Sequence, residues 1–488
     1  MAWNHRTNLS MLTDYYELTM SQSYFNQGLG DTIVYFDLYF RAVPQQGGYA
    51  LMAGVEQMID YLQDLQFTEE NLAYLRSTGD FTEGFLQYLA DFKFACDVWA
   101  VPEGMPVFPN EPIVKVRGPL IQAQMIETML LLTVNHQSLI ATKSSRIVRA
   151  AGGRAVMEFG ARRAQGYDAS VLGARAAYIG GAAGTSCTIC GEQFGIPLSG
   201  TMAHSYVLMF DSEYEAFQAY AEAYPDNTVL LVDTYNTLKS GIPNAIKIAK
   251  EVLEPAGKRL KGIRIDSGDL AYLTKESRRL LDEAGLSDCA IVVSNALDES
   301  VIEALFLQGA AINSFGVGER LITSRAEPVF GGVYKLAAIE RDGQTIPRMK
   351  VSDNVTKMTT PGNKAVWRFY DRDTGKALAD LVTLAGERPD LEQEYEIFHP
   401  DHTWKRKNLT NFKAEQILQP IFRSGELVYT NPAIHEIREF CLQQQNTLWD
   451  SVRRFENPQT YYVDLSEKLW TVKQDLLKAD QARMLNNH

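Results

Sequence analysis

The stretch Gly262-Ile263-Arg264-Ile265-Asp266-Ser267-Gly268-Asp269 is a short apolar run that ends in a cluster of charged and small residues. The same order recurs at Thr228-Val229-Leu230-Leu231-Val232-Asp233 and at Ala290-Ile291-Val292-Val293-Ser294-Asn295. A helical pattern follows each cluster, and near-continuous apolar strands are typical of a parallel sheet that is covered on both faces. Each stretch therefore predicts one βα unit of an α/β fold.

The units repeat at a spacing that fits one strand and one helix. Asp233, Asp266, Asn295 and Gly316 follow one another at intervals of 33, 29 and 21 residues. About seven such units would build either a closed barrel or an open doubly wound sheet. We favour an irregular TIM-like (β/α) barrel, because the site of a barrel collects residues from many strand ends, whereas an open sheet places its site at one switch point.

The regions on either side of this pattern divide the chain into three predicted parts. Residues 1–120 mix helical and strand patterns and predict an N-terminal α/β sandwich domain, and residues 121–345 predict the catalytic barrel. Residues 346–488 predict a C-terminal segment that completes the sandwich and wraps the barrel. Within that segment, residues 431–484 are predicted to be helical.

Composition limits the possible partners. The 488-residue chain has a formal net charge of −13, whereas general nucleic-acid binders are expected to be basic. The longest apolar stretch, residues 125–134, is too short to span a bilayer, and the first residues lack the apolar core of a signal peptide. We therefore predict a cytoplasmic protein that binds neither nucleic acid nor membrane.

The polar clusters contain residue types that suit an anionic, phosphorylated substrate. His204 lies in Gly200-Thr201-Met202-Ala203-His204-Ser205, which we expect at a strand end. A histidine there could act as a general base, a metal ligand or a covalently modified nucleophile. Metal binding is the least favoured of the three, since no second histidine lies nearby. Arg162 and Arg163 directly follow Phe159-Gly160, and guanidinium groups suit phosphate and carboxylate.

Two carboxylates and a glycine loop complete the candidate site. Asp266 and Asp269 could stabilise a cationic transition state or hold magnesium through an anionic substrate, although Asp269 is equally suited to capping the next helix. Gly316-Val317-Gly318 could form a backbone cradle for phosphate. Cys187 and Cys190 form a C-x-x-C without a second ligand pair, so we interpret them as buried structural thiols and predict no metal held directly by histidine or cysteine.

Taken in order, these clusters resemble nicotinate phosphoribosyltransferases of the type II phosphoribosyltransferase family. The resemblance begins at Leu12-Thr13-Asp14-Tyr15-Tyr16-Glu17-Leu18-Thr19-Met20 and ends at Gly331-Gly332-Val333-Tyr334-Lys335-Leu336. Between them it runs through Glu158-Phe159-Gly160-Ala161-Arg162-Arg163, residues 200–205 and residues 264–269. It implies a barrel joined to an α/β sandwich and a homodimer with its active site at the subunit interface.

The resemblance also implies a reaction. Nicotinate, phosphoribosyl pyrophosphate, ATP and water would give nicotinate mononucleotide, pyrophosphate, ADP and phosphate, which is the first step of NAD synthesis from nicotinate. ATP would be a co-substrate that transiently phosphorylates His204. Mg²⁺ would enter with the pyrophosphate group and with ATP.

Individual positions match residues with known roles in the family. Phe159 and Tyr16, the latter from the neighbouring subunit, match residues that stack on the pyridine ring. The positions that match nicotinate contacts or line the substrate pocket are Arg162, Thr201, Asp233, Arg264 and Asp266. The positions that match the phosphate loop are Gly316, Gly318 and Glu319. Relatives often carry threonine or glycine where Glu319 stands. Asp266, with Asp233, is expected to stabilise the positive charge that develops on the sugar.

Ser186 bears on the choice of pyridine substrate. Relatives that use nicotinamide carry an acid at this position, and an acid would repel a carboxylate substrate, whereas serine does not. The alternatives within the class are nicotinamide and quinolinate phosphoribosyltransferases. From other classes, a barrel lyase or aldolase would need an active lysine, which none of the quoted strand ends carries. A non-catalytic pyridine-nucleotide sensor would be expected to have lost His204 or the Asp266 cluster.

Overall fold

The chain folds into two compact units. Unit 1 comprises Met1–Leu139 and Val329–His488, and unit 2 comprises Ile140–Pro328. The predicted domain boundaries at 120/121 and 345/346 stay predictions. The structure, a computed structural model, describes residues 8–351, 358–390 and 394–486.

The described residues form both helices and strands. The strands are β1 (Ile33–Phe40), β2 (Ala50–Leu51), β3 (Asp97–Ala100), β4 (Pro106–Val107), β5 (Val114–Pro119), β6 (Ala155–Glu158), β7 (Gly184–Thr185), β8 (Val229–Leu231), β9 (Gly262–Ile265), β10 (Ala290–Asn295), β11 (Ser314–Val317), β12 (Gly332–Arg341), β13 (Gln344–Pro347), β14 (Lys364–Asp371), β15 (Ala377–Leu384), β16 (Tyr395–Phe398), β17 (Arg406–Leu409), β18 (Phe412–Gln416), β19 (Gln419–Arg423), β20 (Glu426–Leu427) and β21 (Val463–Leu465). The α-helices are α1 (Tyr15–Asn26), α2 (Val55–Gln63), α3 (Glu69–Thr78), α4 (Glu83–Ala90), α5 (Leu120–Met125), α6 (Glu127–Ala150), α7 (Tyr167–Ile179), α8 (Thr188–Phe194), α9 (His204–Val207), α10 (Glu213–Ala223), α11 (Ile242–Ile248), α12 (Leu270–Glu283), α13 (Glu299–Leu307), α14 (Glu319–Ile322), α15 (Ile434–Thr447), α16 (Asp450–Arg453) and α17 (Glu467–Asn486). Short 3₁₀ or π turns lie at Pro44–Gln46, Ala161–Arg163, Thr237–Gly241, Ala249–Leu253 and Glu254–Ala256.

Unit 1 is built on a seven-stranded sheet in the order β13-β12-β1-β5-β3-β19-β20 and a four-stranded sheet in the order β18-β14-β15-β21. β1 forms antiparallel ladders with both β12 and β5, and seven of its eight residues are buried. Phe36 of β1 stacks on Tyr334 of β12 with ring centroids 4.7 Å apart. Val98 of β3 pairs with Phe422 of β19, so residues from both ends of the chain share one sheet.

The helical prediction for residues 431–484 is wrong in its middle. α15, α16 and α17 are helices, but Val463–Leu465 forms β21. Leu381 of β15 pairs with Asp464 in a parallel ladder. The hydrogen-bonding partner of this short strand lies about 80 residues earlier in the chain, and strand formation depends on such partners more than on local preference.

Unit 2 contains the predicted parallel sheet. Its six strands lie in the order β7-β6-β11-β10-β9-β8, and every neighbouring pair is parallel. Buried apolar side chains of four of these strands form its interior, among them Val156, Ile263, Ile265, Ile291, Val293, Phe315 and Val317. These runs are buried as the sequence pattern indicated, because helices follow the strands and cover the sheet.

The sheet is open, which corrects the expectation of a closed TIM-like barrel. The edge strands β7 and β8 are two and three residues long and are not paired with each other in the described part of the chain. Between them the chain forms α8, α9 and α10, and its contribution to the sheet is an isolated bridge from Thr185 to Leu198. Closure would need further strands in this interval, where helices and irregular segments stand instead.

The register of the sheet brings the carboxyl ends of its strands to one edge. Arg264 pairs with Val292, Ser294 with Gly316, and Val317 with Glu158. The polar clusters that follow β6, β8, β9, β10 and β11 therefore lie side by side. In the described residues no helix is both long and apolar enough to cross a membrane.

Candidate active site

Arg264 on β9 and Asp266 just beyond it form the centre of a hydrogen-bonded network. Arg264 Nη2 donates to Asp266 Oδ1 at 3.0 Å, and Arg264 Nε donates to Ser294 Oγ at 2.8 Å. The Ser294 hydroxyl in turn donates to Asp266 Oδ1. Because side chains alternate along a strand, Arg264 points away from the face that buries Ile263 and Ile265. The Asp266 carboxylate and the Ser294 hydroxyl, which are bonded to each other, fix the guanidinium in one orientation.

Two further predicted ligand-binding residues lie beside this guanidinium. Arg264 Nη1 donates to Thr201 Oγ1 at 3.2 Å and to the Met202 carbonyl oxygen at 3.4 Å. The Phe159 ring centroid lies 5.9 Å from Arg264 Cζ. Thr201 and Phe159 each precede Arg264 by 63 residues or more in the sequence. The fold nevertheless brings the three side chains together.

Asp233, at the end of β8, joins two strand ends. Its Oδ2 accepts from the Asp266 backbone N–H at 2.9 Å and from the Ser267 hydroxyl at 2.6 Å. Its Oδ1 is buried and has no hydrogen-bond partner among the described residues. A buried carboxylate oxygen without a partner is costly unless a ligand or cation satisfies it.

His204 lies next to Thr234 and Asp266. Its Nδ1 is 3.1 Å from Thr234 Oγ1, and its Nε2 is 3.9 Å from Asp266 Oδ2. Its side chain is 40% exposed, so the ring is open to a ligand. The expectation of a strand end here is wrong: His204 begins the short helix α9 after an irregular segment.

The surroundings of Asp266 favour its ionised form. Burial alone would raise the pKa of this carboxyl, but the hydrogen bond from Ser294 and the charge of Arg264 outweigh burial and hold its pKa below the usual value. An ionised carboxylate at this position can stabilise a positive charge that forms on a substrate. Asp269 has a different role: its Oδ1 accepts from the Tyr272 N–H at 3.0 Å and caps α12.

Gly316 provides space for the Phe159 ring. A Cβ atom on residue 316 would lie 2.4 Å from Phe159 Cδ2, which no side chain can occupy without displacing the ring. The Phe159 N–H donates to the Val317 carbonyl at 2.8 Å, so the start of the turn after β6 is held against β11. The glycine is explained by this packing, and the phosphate-binding role of Gly316 and Gly318 stays a prediction.

Four predicted residues lie outside the network. Glu319 forms an ion pair with Arg325 at 3.0 Å instead of facing the Arg264 cluster. Arg162 and Ser186 have exposed side chains in the turns that follow β6 and β7. Tyr16 lies on α1 in unit 1 with 44% of its surface exposed. Their predicted contacts with substrate stay predictions.

The sequence analysis assigned no role to Ser294, which ends one apolar run, or to Thr234, which follows Asp233 at the end of another. Each is the small hydroxyl residue at or just after the end of a strand, and that position was the available signal. Asn295 has a φ of 131°, a conformation that is rare for residues other than glycine. Such strain is often retained at functional sites, and here it lies next to Ser294 at the same edge.

Metal-binding side chains do not cluster in the described part of the chain: no group of three or more histidine, cysteine, aspartate or glutamate residues could hold a metal ion there. Cys187 and Cys190 are free and buried, so their predicted burial is confirmed.

Comparison with known proteins decides the family. Models described as the nicotinate phosphoribosyltransferase N-terminal domain, family and C-terminal domain match residues 11–135, 154–382 and 363–473. The nicotinate phosphoribosyltransferase of Bacillus subtilis (strain 168) is 43% identical over 479 residues, which make up 98% of this chain and 97% of the relative. The chain belongs to the nicotinate phosphoribosyltransferase family.

Other members of the nicotinate phosphoribosyltransferase family agree with this assignment over nearly the whole length. The nicotinate phosphoribosyltransferase of Dictyostelium discoideum is 35% identical over 522 aligned positions, covering 96% of this chain and 88% of the relative. The crystal structure of human nicotinic acid phosphoribosyltransferase superposes with a TM-score of 0.85 at 30% identity, covering 95% of this chain and 99% of the human chain. The family match over residues 154–382 includes every member of the Arg264 network.

Proposed function

We propose that this protein transfers a phosphoribosyl group from phosphoribosyl pyrophosphate to nicotinate and couples the transfer to ATP hydrolysis. The observation that carries the proposal is the fixed guanidinium of Arg264 beside the Phe159 ring. Nicotinate is an aromatic ring with one carboxylate, so a cation next to an aromatic face complements both of its parts. Family membership supports the same substrate.

Arg264 retains donor capacity for such a ligand. A guanidinium has five N–H donors, and the described residues accept from four of them. The remaining N–H is on Nη2, and the Nη1 contact with Met202 is long at 3.4 Å. A nicotinate carboxylate bound there would place the ring nitrogen away from the guanidinium, toward the sugar carbon that it attacks.

Asp266 and Asp233 would act on the sugar. As the ring nitrogen bonds to the sugar carbon and pyrophosphate leaves with the bonding electrons, positive charge develops on the sugar, and ionised carboxylates stabilise that charge. Mg²⁺, when bound, neutralises the departing pyrophosphate. Mg²⁺ usually takes one or two carboxylates besides phosphate oxygens, and the unpaired Oδ1 of Asp233 fits such a ligand.

His204 would carry the coupling to ATP. The γ-phosphoryl group would pass from ATP to a ring nitrogen of His204 with release of ADP, and water would later remove it as phosphate. The phosphoryl group would add roughly −1.5 to −2 charges to a ring whose Nε2 lies 3.9 Å from Asp266 Oδ2, so the phosphorylated and free forms must differ in their affinity for anions. The family resemblance also supports a cytoplasmic homodimer in which Tyr16 serves the neighbouring site.

A substrate panel tests the activity. Purified protein with Mg²⁺, ATP and phosphoribosyl pyrophosphate is given nicotinate, nicotinamide or quinolinate in turn, and mononucleotide formation is measured. We expect kcat/KM for nicotinate to exceed that for the other two by about 100-fold or more. A higher value for nicotinamide or quinolinate would replace nicotinate as the substrate.

A histidine variant tests the coupling. His204→Ala is expected to abolish stimulation by ATP and labelling of the protein by γ-labelled ATP, while slow ATP-independent transfer remains. His435→Ala, at an exposed histidine on α15 in unit 1, is the matched control and should keep both properties. Full ATP stimulation in His204→Ala would reject the phosphohistidine.

A further inference from the structure

Glu158 is a buried carboxyl at the carboxyl end of β6. Its side chain has no exposed surface. Its Oε1 accepts from the backbone N–H of Gly160, and its Oε2 accepts from the Thr185 hydroxyl at 2.6 Å. The Thr185 oxygen accepts in turn from the Cys187 N–H at 3.0 Å. One carboxyl group thus joins the turn after β6 to the turn after β7.

Burying this carboxyl is unfavourable. Its two donors are neutral, whereas a buried carboxylate is ordinarily compensated by a cation or a metal ion. Burial raises the pKa of Glu158 to about 7, while Thr185 and Gly160 pull it in the opposite direction and Cys187 adds to the rise. Stability gives no reason for an acid at this position, so the geometry that the acid imposes is the better explanation.

The two turns that Glu158 joins carry two predicted nicotinate-pocket residues. Phe159 and Gly160 directly follow Glu158, and Ser186 directly follows Thr185. The backbone is joined as well, since the Ser186 N–H donates to the Glu158 carbonyl at 2.9 Å. Gly160 permits the close approach, because a Cβ atom there would lie 2.8 Å from Glu158 Oε1.

We propose that Glu158 and Thr185 are positioning residues that hold the Phe159 turn and the Ser186 turn at a fixed separation, and so set the width of the nicotinate pocket. This inference rests on the proposed function. Neither residue touches the reacting atoms: both act through the turns that they tie together. Their loss should weaken nicotinate binding far more than the chemical step or the binding of phosphoribosyl pyrophosphate.

Thr185→Val tests this role with a closely matched control. The substitution keeps the side-chain shape and removes the hydroxyl that bonds Glu158. Thr274 on α12 is also fully buried, and its hydroxyl donates to the Leu270 carbonyl at 2.7 Å and accepts from the Ala311 N–H at 3.3 Å. Thr274→Val therefore removes an equally buried hydroxyl away from the two turns.

We expect Thr185→Val to raise the KM for nicotinate about tenfold, because the free energy of one buried hydrogen bond corresponds to about that factor. The kcat and the KM for phosphoribosyl pyrophosphate should stay within about twofold of wild type. Thr274→Val should leave all three constants unchanged. Equal nicotinate KM values in the two variants would overturn the proposal. An inactive wild-type protein would instead refute the proposed function, so the two failures are distinguishable.

Variants of Glu158 give a second readout. Glu158→Gln retains an acceptor for Gly160, whereas Glu158→Ala retains none. The KM for nicotinate should therefore rise in the order wild type, Glu158→Gln, Glu158→Ala among the variants that fold. If Glu158→Ala does not fold, Glu158→Gln and Thr185→Val decide the matter. A nicotinate KM at the wild-type value in either Glu158→Gln or Thr185→Val would refute the positioning role.

Discussion

Two of the protein's arginine–aspartate pairs differ sharply in their surroundings. In unit 1, Arg368 of β14 and Asp380 of β15 form a two-bond pair at 2.8 and 2.6 Å, and both side chains are 0% exposed. In unit 2, Arg264 and Asp266 are joined by one bond at 3.0 Å and are 15% and 33% exposed. The first pair is closed to solvent, and the second retains hydrogen-bonding capacity on an accessible surface.

The neighbours of the two pairs reinforce this contrast. Asp380 also accepts from the Tyr461 hydroxyl at 3.0 Å, and Arg368 Nη2 lies 4.0 Å from Glu111 Oε1. Burial, and next the charge of Asp380, raise the pKa of Glu111 well above its usual value. Asp266 instead faces the exposed ring of His204. The same two residue types thus lie in a closed core in one unit and at an accessible sheet edge in the other, and accessibility distinguishes the two pairs.

The largest effect is expected from breaking the closed pair. Arg368→Met keeps most of the side-chain volume but leaves Asp380 and Glu111 buried without their cation, which should lower the free energy of unfolding by about 3–5 kcal/mol. The same substitution at Arg264 should cost less, about 1–3 kcal/mol, because water can reach the partly exposed groups that lose their hydrogen bonds. Urea unfolding of both variants measures the difference, and equal losses would remove the distinction between the pairs.

The effect of Arg264→Met on the KM for nicotinate tests whether the accessible pair binds substrate. Losing a charged contact to the nicotinate carboxylate should raise the nicotinate KM by about 10- to 100-fold. Arg259→Met is the matched control, because this arginine also pairs with carboxylates but is 43% exposed and lies on the surface. An unchanged nicotinate KM in Arg264→Met would show that a residue other than Arg264 binds the nicotinate carboxylate.

The smallest effect concerns two carboxyls, one in each unit. Burial raises the pKa of Glu17 and of Glu158 to about 7. Between about pH 4.5 and 7 these two groups therefore bind more protons in the native protein than in the unfolded chain. The free energy of unfolding consequently falls as the pH rises, by at most about 1.4 kcal/mol per pH unit for each group.

Glutamine variants of these carboxyls isolate the effect. Glu17→Gln and Glu158→Gln should each flatten the decline in stability between pH 5 and 7, and neither should change the slope above about pH 8. Thermal unfolding at a series of pH values provides the measurement. Curves parallel to that of the wild type throughout this range would show that the two carboxyls titrate normally.

The sequence predicted the parts of the site that follow from strand periodicity. Asp233, Asp266 and Ser294 end apolar runs, and parallel pairing necessarily brings such ends together. Features that depend on tertiary structure could not be predicted from sequence. His204 begins the short helix α9 after an irregular segment, and β21 depends on a distant partner strand. Side-chain bonds such as Glu158 to Thr185 depend on the relative position of two turns, which periodicity does not specify.

The prediction of a closed barrel was wrong because closure also depends on tertiary structure. The strand signal was strong for β9, β10 and β11, whose apolar runs are continuous, and weak between β7 and β8. Closure requires every strand of the ring, whereas a site at the carboxyl edge requires only that neighbouring strands are parallel and in register. The convergence of Asp233, Arg264 and Asp266 could therefore be predicted from sequence even though the closure of the sheet could not.

The most direct test of the central claim is kcat for nicotinate mononucleotide formation, per folded molecule, in Asp266→Asn and in Arg368→Met. If the accessible network performs the transfer, Asp266→Asn should stay folded and lose about 100- to 1,000-fold in kcat, whereas Arg368→Met should be unstable but retain a kcat within about twofold of wild type. A wild-type kcat in Asp266→Asn, or a comparable loss in folded Arg368→Met, would contradict the account.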